Sequence, residues 1–213
     1  LTLTIDMPGQ SANTMNEAFR NALRQTTQRV TEERESLTGI IIASAKKTFF
    51  AGGGLNELIS VKPEQAEPFF TMVQELKSHM RKIETLGIPV VAAINGAALG
   101  GGWEICLSCH HRIALNHKSV QLGLPEVTLG LLPGGGGIVR MVRLLGLEKS
   151  LPYLVEGKKL NADAALKAGL IDAIANNTAP PSFANVVEAL ETPVRELEQV
   201  LSVFFTVAGA DSN

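Results

Sequence analysis

Apolar and polar positions alternate from Leu1 to Asp6, the pattern of a strand with one face in solvent. The rhythm then changes. Met15, Phe19, Ala22, Leu23 and Val30 fall at helical spacing with polar residues between them, which predicts a helix over 15–30. Ile40-Ile41-Ile42-Ala43 is a short β-branched run, as a strand buried on both faces requires. Phe69, Met72, Val73, Leu76, Met80, Ile83 and Leu86 recur in steps of three and four and predict a long amphipathic helix. Gly87 is its expected C-cap, with Pro89 just beyond. Val90-Val91-Ala92-Ala93-Ile94 reads as a second buried strand. Helical patterns alternating with continuous apolar strands predict an α/β fold around a mostly parallel sheet. No internal repeat is visible.

The end of the chain has a different character. Residues 176–182 read as a linker, Val186 to Phe205 as a helix broken near Pro193, and Ala208 to Asn213 as a weak tail. A boundary near Asn177 divides a main domain, 1–177, from a linker and helical tail, 178–213. The chain has 213 residues, enough to bury a core without disulfide or metal staples. It is 45% apolar and 19% charged, an ordinary globular composition. Nineteen basic against 21 acidic residues leave a net charge of −2, which argues against wrapping nucleic acid. Two cysteines three positions apart are no disulfide framework and point to a reducing compartment. No signal peptide is visible at Leu1. The longest charge-free stretch, Leu86 to Trp103, carries Pro89 and five glycines, too much disruption for a lipid-exposed helix. The expected location is cytoplasmic, or the mitochondrial matrix in a eukaryote, with no transmembrane segment.

The chemistry concentrates at Ile94-Asn95-Gly96-Ala97-Ala98-Leu99-Gly100-Gly101-Gly102-Trp103-Glu104-Ile105. A buried strand ends at Asn95, a glycine-rich turn follows, and a helix is expected to begin near Gly101. Glycine lets a ligand approach the backbone, and a helix start presents unpaired N–H groups that can hold a phosphate or a developing oxyanion. Glu104 is then a carboxylate beside that corner. On spacing alone, a tight strand-to-helix turn with a glutamate at its helix start is the better explanation of these residues. Two further features shift the balance. Ala51-Gly52-Gly53-Gly54 is a second flexible corner after a buried strand, and Leu122-Gly123-Leu124-Pro125-Glu126 brings a second carboxylate before Pro133-Gly134-Gly135-Gly136-Gly137. Two anion corners and two carboxylates suit a reaction that forms an enolate and moves protons.

Leu99-Gly100-Gly101-Gly102-Trp103-Glu104 resembles the signature of the crotonase superfamily of acyl-CoA enzymes, and 122–126 with 130–134 resemble its second signature. Phe49 to Leu55 is similar to the loop that supplies the first oxyanion donor, and Asp163 to Asp172 to a later helix-to-strand stretch. The likeness is collinear over about residues 1–177. It is strongest to the enoyl-CoA hydratase domain that opens multifunctional fatty-acid β-oxidation enzymes, through His110 to Ala114 and Gly123 to Gly130. The resemblance implies a crotonase fold, repeated ββα units with a mostly parallel sheet flanked by helices. It implies hydration of trans-2-enoyl-CoA to 3-hydroxyacyl-CoA, with the thioester oxygen between the backbone N–H groups of Gly53 and Gly101. Glu104 and Glu126 would share a water. Relatives that only move the double bond commonly keep one carboxylate, at the position matching Glu126. Gly134 resembles a position whose backbone helps place the water. No metal or redox cofactor is implied, CoA being part of the substrate. A thiolase subunit and further copies of the chain are the implied protein partners.

Three departures stand out. Gly54 occupies a position where the family usually has Asp, so a helix-capping carboxylate is missing. Trp103 replaces a smaller residue and is expected to reshape the acyl pocket. The stretch between the glutamates is about two residues longer than in many relatives, in a turn expected around Asn116 to Ser119.

Other signals have plainer explanations. Cys106-Leu107-Ser108-Cys109-His110 matches a haem-attachment pattern, and His111 and His117 could add zinc ligands, but a buried helix explains the cysteines better. Neither a dinucleotide fingerprint nor a phosphate-binding P-loop motif occurs. Lys46 and Lys47 could meet CoA phosphates or simply lie in a solvated loop. His79 is expected at the surface or at the boundary of its helix. Enoyl-CoA isomerisation with Glu126 as the main base, and a non-catalytic acyl-CoA-binding or assembly scaffold, remain alternatives to hydration.

Overall fold

The computed structural model describes residues 1–176. Its first strand, β1 (Thr2–Ile5), is followed by helix α1 (Glu17–Glu32). The helix starts two residues later than the apolar spacing suggests, because Asn16 caps it by accepting from the Phe19 N–H at 3.0 Å. Met15 is therefore outside the helix. Strand β2 (Ile40–Ser44) leads through a glycine loop to short α2 (Leu55–Ser60) and then to α3 (Ala66–Glu84). The C-cap of α3 is Thr85, not Gly87. Thr85 turns both its N–H and its hydroxyl back to the Arg81 carbonyl, and Gly87 takes the left-handed step, φ +83°, only later, in the turn towards the next strand.

Strand β3 (Val90–Ile94), short β4 (Ala98–Leu99) and α4 (Gly101–Leu107) follow, then β5 (His111–Leu115) and short β6 (Leu122–Gly123). The bend expected around 116–119 lies between the last two strands. A 3₁₀ turn, Pro125–Leu129, precedes α5 (Gly137–Leu145), α6 (Leu147–Val155), α7 (Ala162–Lys167) and β7 (Ala173–Ala175). The main sheet is parallel throughout, in the order β1-β2-β3-β5-β7. Its central strand β3 is buried along its whole length, which accounts for the uninterrupted apolar run. The expected boundary at Asn177 and the helix over 186–205 lie outside the described residues.

A second, minor ladder organises the site. β4 pairs with β6, Phe50 bridges to Ala98, and Met15 bridges to Gly53, all in parallel. Each long strand is thus followed by a brief extended step and then a helix: β1–Met15–α1, β2–Phe50–α2, β3–β4–α4 and β5–β6–α5. The brief steps stack side by side and bring the loops after them to one edge.

Several side chains sit where periodicity alone did not place them. His79 is buried, with Nδ1 2.7 Å from the Thr27 hydroxyl, and so ties α3 to α1. Trp103 is fully buried in the core behind α4. Cys106 and Cys109, by contrast, are buried as expected, Cys106 within α4 and Cys109 just past its end; burial raises both thiols, Cys109 to about 12, so neither is poised to react. Among the described residues no helix is long and apolar enough to cross a membrane.

Candidate active site

The loops after the minor ladder enclose a cavity of about 420 Å³. Its walls include Gly53, Gly101, Glu104, Glu126 and Gly134, which lie far apart in the chain. Apolar side chains from α3, Phe69, Met72, Val73 and Leu76 among them, form the opposite wall. This apolar wall and the few convergent polar groups are what a small-molecule site requires.

Close backbone approach sets the two glycine corners. Leu99 N–H donates to Phe50 O at 3.1 Å and Phe50 N–H to Ala97 O at 3.0 Å, stitching the corners together. A Cβ on Gly102 would come within 2.5 Å of Phe50 O, so a side chain there would push the corners apart. Neither the Gly53 nor the Gly101 N–H donates a backbone hydrogen bond among the described residues. Both glycines line the cavity. Gly101 opens α4, so its N–H also carries the positive end of that helix.

Glu104 is on the first turn of α4 and only 3% exposed. Its Oε1 accepts from the Gly137 N–H at 2.8 Å, at the start of α5. Burial raises its proton affinity, opposed by the backbone N–H groups of Gly137 and Gly135 and by the charges of Arg140 and Lys77. Glycine is required at 135 because a Cβ there would stand 2.7 Å from Glu104 Oε2. Glu126 follows Pro125 in the 3₁₀ turn, with Oε1 against Gly100 and Oε2 buried without a partner. Burial pushes its carboxyl up to about 7; its own backbone N–H lowers it, and the nearby Glu104 raises it again. Near neutral pH the Glu126 carboxyl is therefore close to half protonated, beside a Glu104 whose Oε1 is held by the Gly137 N–H.

The sign of that shift makes a stability prediction. Glu126 binds its proton more tightly folded than unfolded, so its contribution is full below the ordinary value of 4.5 and lost as pH rises through about 7. Glu126→Gln is therefore expected to raise the melting temperature at pH 8 relative to the parent. The gain should shrink towards pH 4.5; a gain equal at both pH values would contradict a buried, proton-retaining Glu126.

Lys46 and Lys47 are not on the cavity wall. Lys46 Nζ is 2.7 Å from Asp6 Oδ1, and Lys47 is exposed on the turn after β2. Trp103, expected to reshape the pocket, does not line it and is fully buried in the core. Gly54 is the N-cap of α2, and no side chain caps that helix.

Supporting residues emerge that no motif marked. Asn13 is fully buried; its amide accepts from Met7 N–H and donates to Ile5 O and Ser44 Oγ, fixing the turn before Met15. Arg140 of α5 donates to Gly135 O at 3.0 Å and reaches Glu84 at 3.3 Å, so it orients the peptide beside Glu104. A buried arginine within the apolar helix that follows a glycine run is the signal that could have exposed it.

Two glycine corners and two carboxyls, set on a parallel α/β scaffold, thus line one largely apolar cavity. The model of the enoyl-CoA hydratase/isomerase family matches residues 1–192, and this chain belongs to that family. Among solved structures, it is similar to an enoyl-CoA hydratase from Bacillus anthracis at 30% identity and TM-score 0.78, covering 94% of this chain and 72% of that one. It is also similar to an enoyl-CoA hydratase from Bacillus halodurans, at 26% identity and TM-score 0.79, over 94% and 76% of the two chains. Pseudomonas aeruginosa DspI shares 27% identity at TM-score 0.76, over 91% and 70%. The α/β architecture is that of the crotonase fold.

Proposed function

We propose that the protein adds water across the double bond of a trans-2-enoyl-CoA to give a 3-hydroxyacyl-CoA. The observation that carries this reading is the presence of both Glu104 and Glu126 on the wall of one cavity that Gly53 and Gly101 also line. The thioester oxygen accepts from those two amides. Glu104, oriented by Gly137, takes a proton from water as its oxygen bonds to C3. The C2=C3 electron pair moves onto the thioester as an enolate, which the two N–H groups stabilise. Glu126 in its acid form then delivers a proton to C2. One proton passes back from Glu104 to Glu126 to restore the starting state, and the balance needs only water and the carboxyls. The apolar wall from α3 receives the acyl chain, and Gly134 lies on the cavity wall where its backbone can help seat the water. The likeness of 110–114 and 123–130 to multifunctional β-oxidation enzymes supports a role in fatty-acid oxidation.

Isomerisation is the second reading, favoured by the value of about 7 at Glu126, which also suits a base shuttling one proton along an enolate. The two reactions need opposite forms of this residue. Hydration requires Glu126 protonated, so kcat/KM is expected to fall as pH rises above about 7. Isomerisation requires it ionised and should rise over the same interval. Initial rates on trans-2-enoyl-CoA and 3-enoyl-CoA thioesters of short, medium and long chain, from pH 5.5 to about 9, test both. Binding of enoyl-CoA without turnover of either would overturn the enzymatic reading in favour of a scaffold.

A further inference from the structure

Two charged groups on the cavity wall have no part in the proton transfers. Arg20 of α1 and Glu57 of α2 face each other as a bidentate pair, Nη2 to Oε1 at 2.6 Å and Nη1 to Oε2 at 3.2 Å. Their side chains are 18% and 41% exposed, so the guanidinium is the more enclosed partner. A partly exposed ion pair adds little stability. What a planar fork on a carboxylate fixes is geometry.

The loop that carries Gly53 lacks another fixing. Asn16 caps α1 and Asn161 caps α7 through their side chains, whereas the N-cap of α2 is Gly54, which has none. Glu57 lies in the first turn of α2, so a hold on Glu57 is a hold on that turn. Arg20 Nη1 also reaches Met15 O at 3.4 Å. Met15 donates its N–H to Gly52 O at 2.9 Å, and its terminal methyl packs on Gly101, where an added Cβ would stand 2.9 Å from it. One guanidinium thus links the helix after Gly53 to the residue that touches both donor segments.

We propose that the Arg20–Glu57 pair is a positioning clamp for the Gly53 oxyanion donor, taking the place of a side-chain cap at residue 54. The clamp presupposes the use of the Gly53 N–H given under the proposed function. Arg20 and Glu57 act through the loop and are positioning residues. A Cβ on Gly54 would meet only ordinary contacts, 3.7 Å from Glu57 Cβ and Oε2, so Gly54→Asp has room. An Asp at the N-cap accepts from first-turn amides, which makes cap and clamp alternative ways of holding one loop.

The test compares Arg20→Gln, Glu57→Gln and the double variant in the full chain, each with and without Gly54→Asp. Arg20→Gln is expected to lower kcat for hydration about tenfold with KM changed less than about twofold, because a misplaced donor weakens the transition state more than binding. The double variant should match the single ones, as residues acting as a unit do. Gly54→Asp should recover most of the loss. Arg29→Gln, which breaks an exposed pair on the same helix, is the control and should leave kcat unchanged. Hydrogen exchange of the 50–58 segment gives a readout independent of activity. It should quicken in Arg20→Gln and slow again with Gly54→Asp. A loss confined to KM would make Arg20 a substrate contact and overturn the clamp; so would failure of Gly54→Asp to rescue, or unchanged exchange. If the parent turns over neither class of thioester, the functional reading fails, and exchange still decides the clamp.

Discussion

Glu104→Gln is expected to lower kcat for hydration by about 10²- to 10⁴-fold, the range that loss of a positioned general base costs. The substitution keeps the shape of the side chain and an oxygen that can accept from the Gly137 N–H, which holds Oε1 at 2.8 Å in the parent. What it removes is the ability to take a proton from water. KM should change little, because the amides and the apolar wall that bind the thioester are untouched. The fold should survive, since a neutral amide is easier to bury than a carboxylate that is 3% exposed. Disappearance of the enoyl thioester absorbance, with melting temperature as the folding control, measures both. Retention of more than about a tenth of parental kcat would deny Glu104 the role of base. Double-bond migration that persists in the same variant would show that isomerisation depends on Glu126 alone.

Gly100→Ala should be nearly as damaging for a different reason. Gly100 has φ +54° and ψ −125°, a conformation that costs an L-residue about 1–3 kcal/mol. Its new Cβ would also stand 2.8 Å from Glu126 Oε1 and 3.7 Å from Gly52 Cα. The methyl therefore strikes the acid, while its approach to Gly52 is an ordinary contact. Displacement of this order costs about 10²-fold in kcat. A fall in melting temperature together with a kcat loss of that size is the expected result. Parental kcat in a destabilised Gly100→Ala protein would show that Glu126 tolerates displacement and has no precise proton to deliver.

Much of the framework was legible along the chain. Strands β2 and β3 announce themselves because both faces are buried, and α3 because one face is. The two glycine corners and the two glutamates could be named because four motifs in chain order resemble those of one family, which residue type and spacing alone do not achieve. Met15, counted as helical from its spacing, instead forms a ladder step with Gly53, since Asn16 takes the cap. His79, expected as a surface or boundary residue beside the apolar stripe of its helix, is buried, and a hydroxyl from Thr27 makes that burial tolerable. Trp103 was assigned to the pocket by its place in the motif, whereas the turn of α4 sends it into the core.

The sequence by itself determined an alternating α/β chain; its two carboxylates and its glycine corners were candidates named on residue type and on a family resemblance. These are local matters: periodicity, side-chain chemistry and the backbone freedom of glycine act within a few residues. Only the tertiary structure decided that the corners meet, through the minor ladder of Met15, Gly53, Phe50, Ala98 and Leu122. It also decided that Gly137 holds Glu104, that Arg140 holds Gly135, and that Arg20 finds Glu57. Each of these is a contact between distant segments, with a direction and a distance that no spacing along a chain encodes. Proton affinity follows the same rule, because burial and neighbouring charge exist only once the walls have closed around the carboxyls.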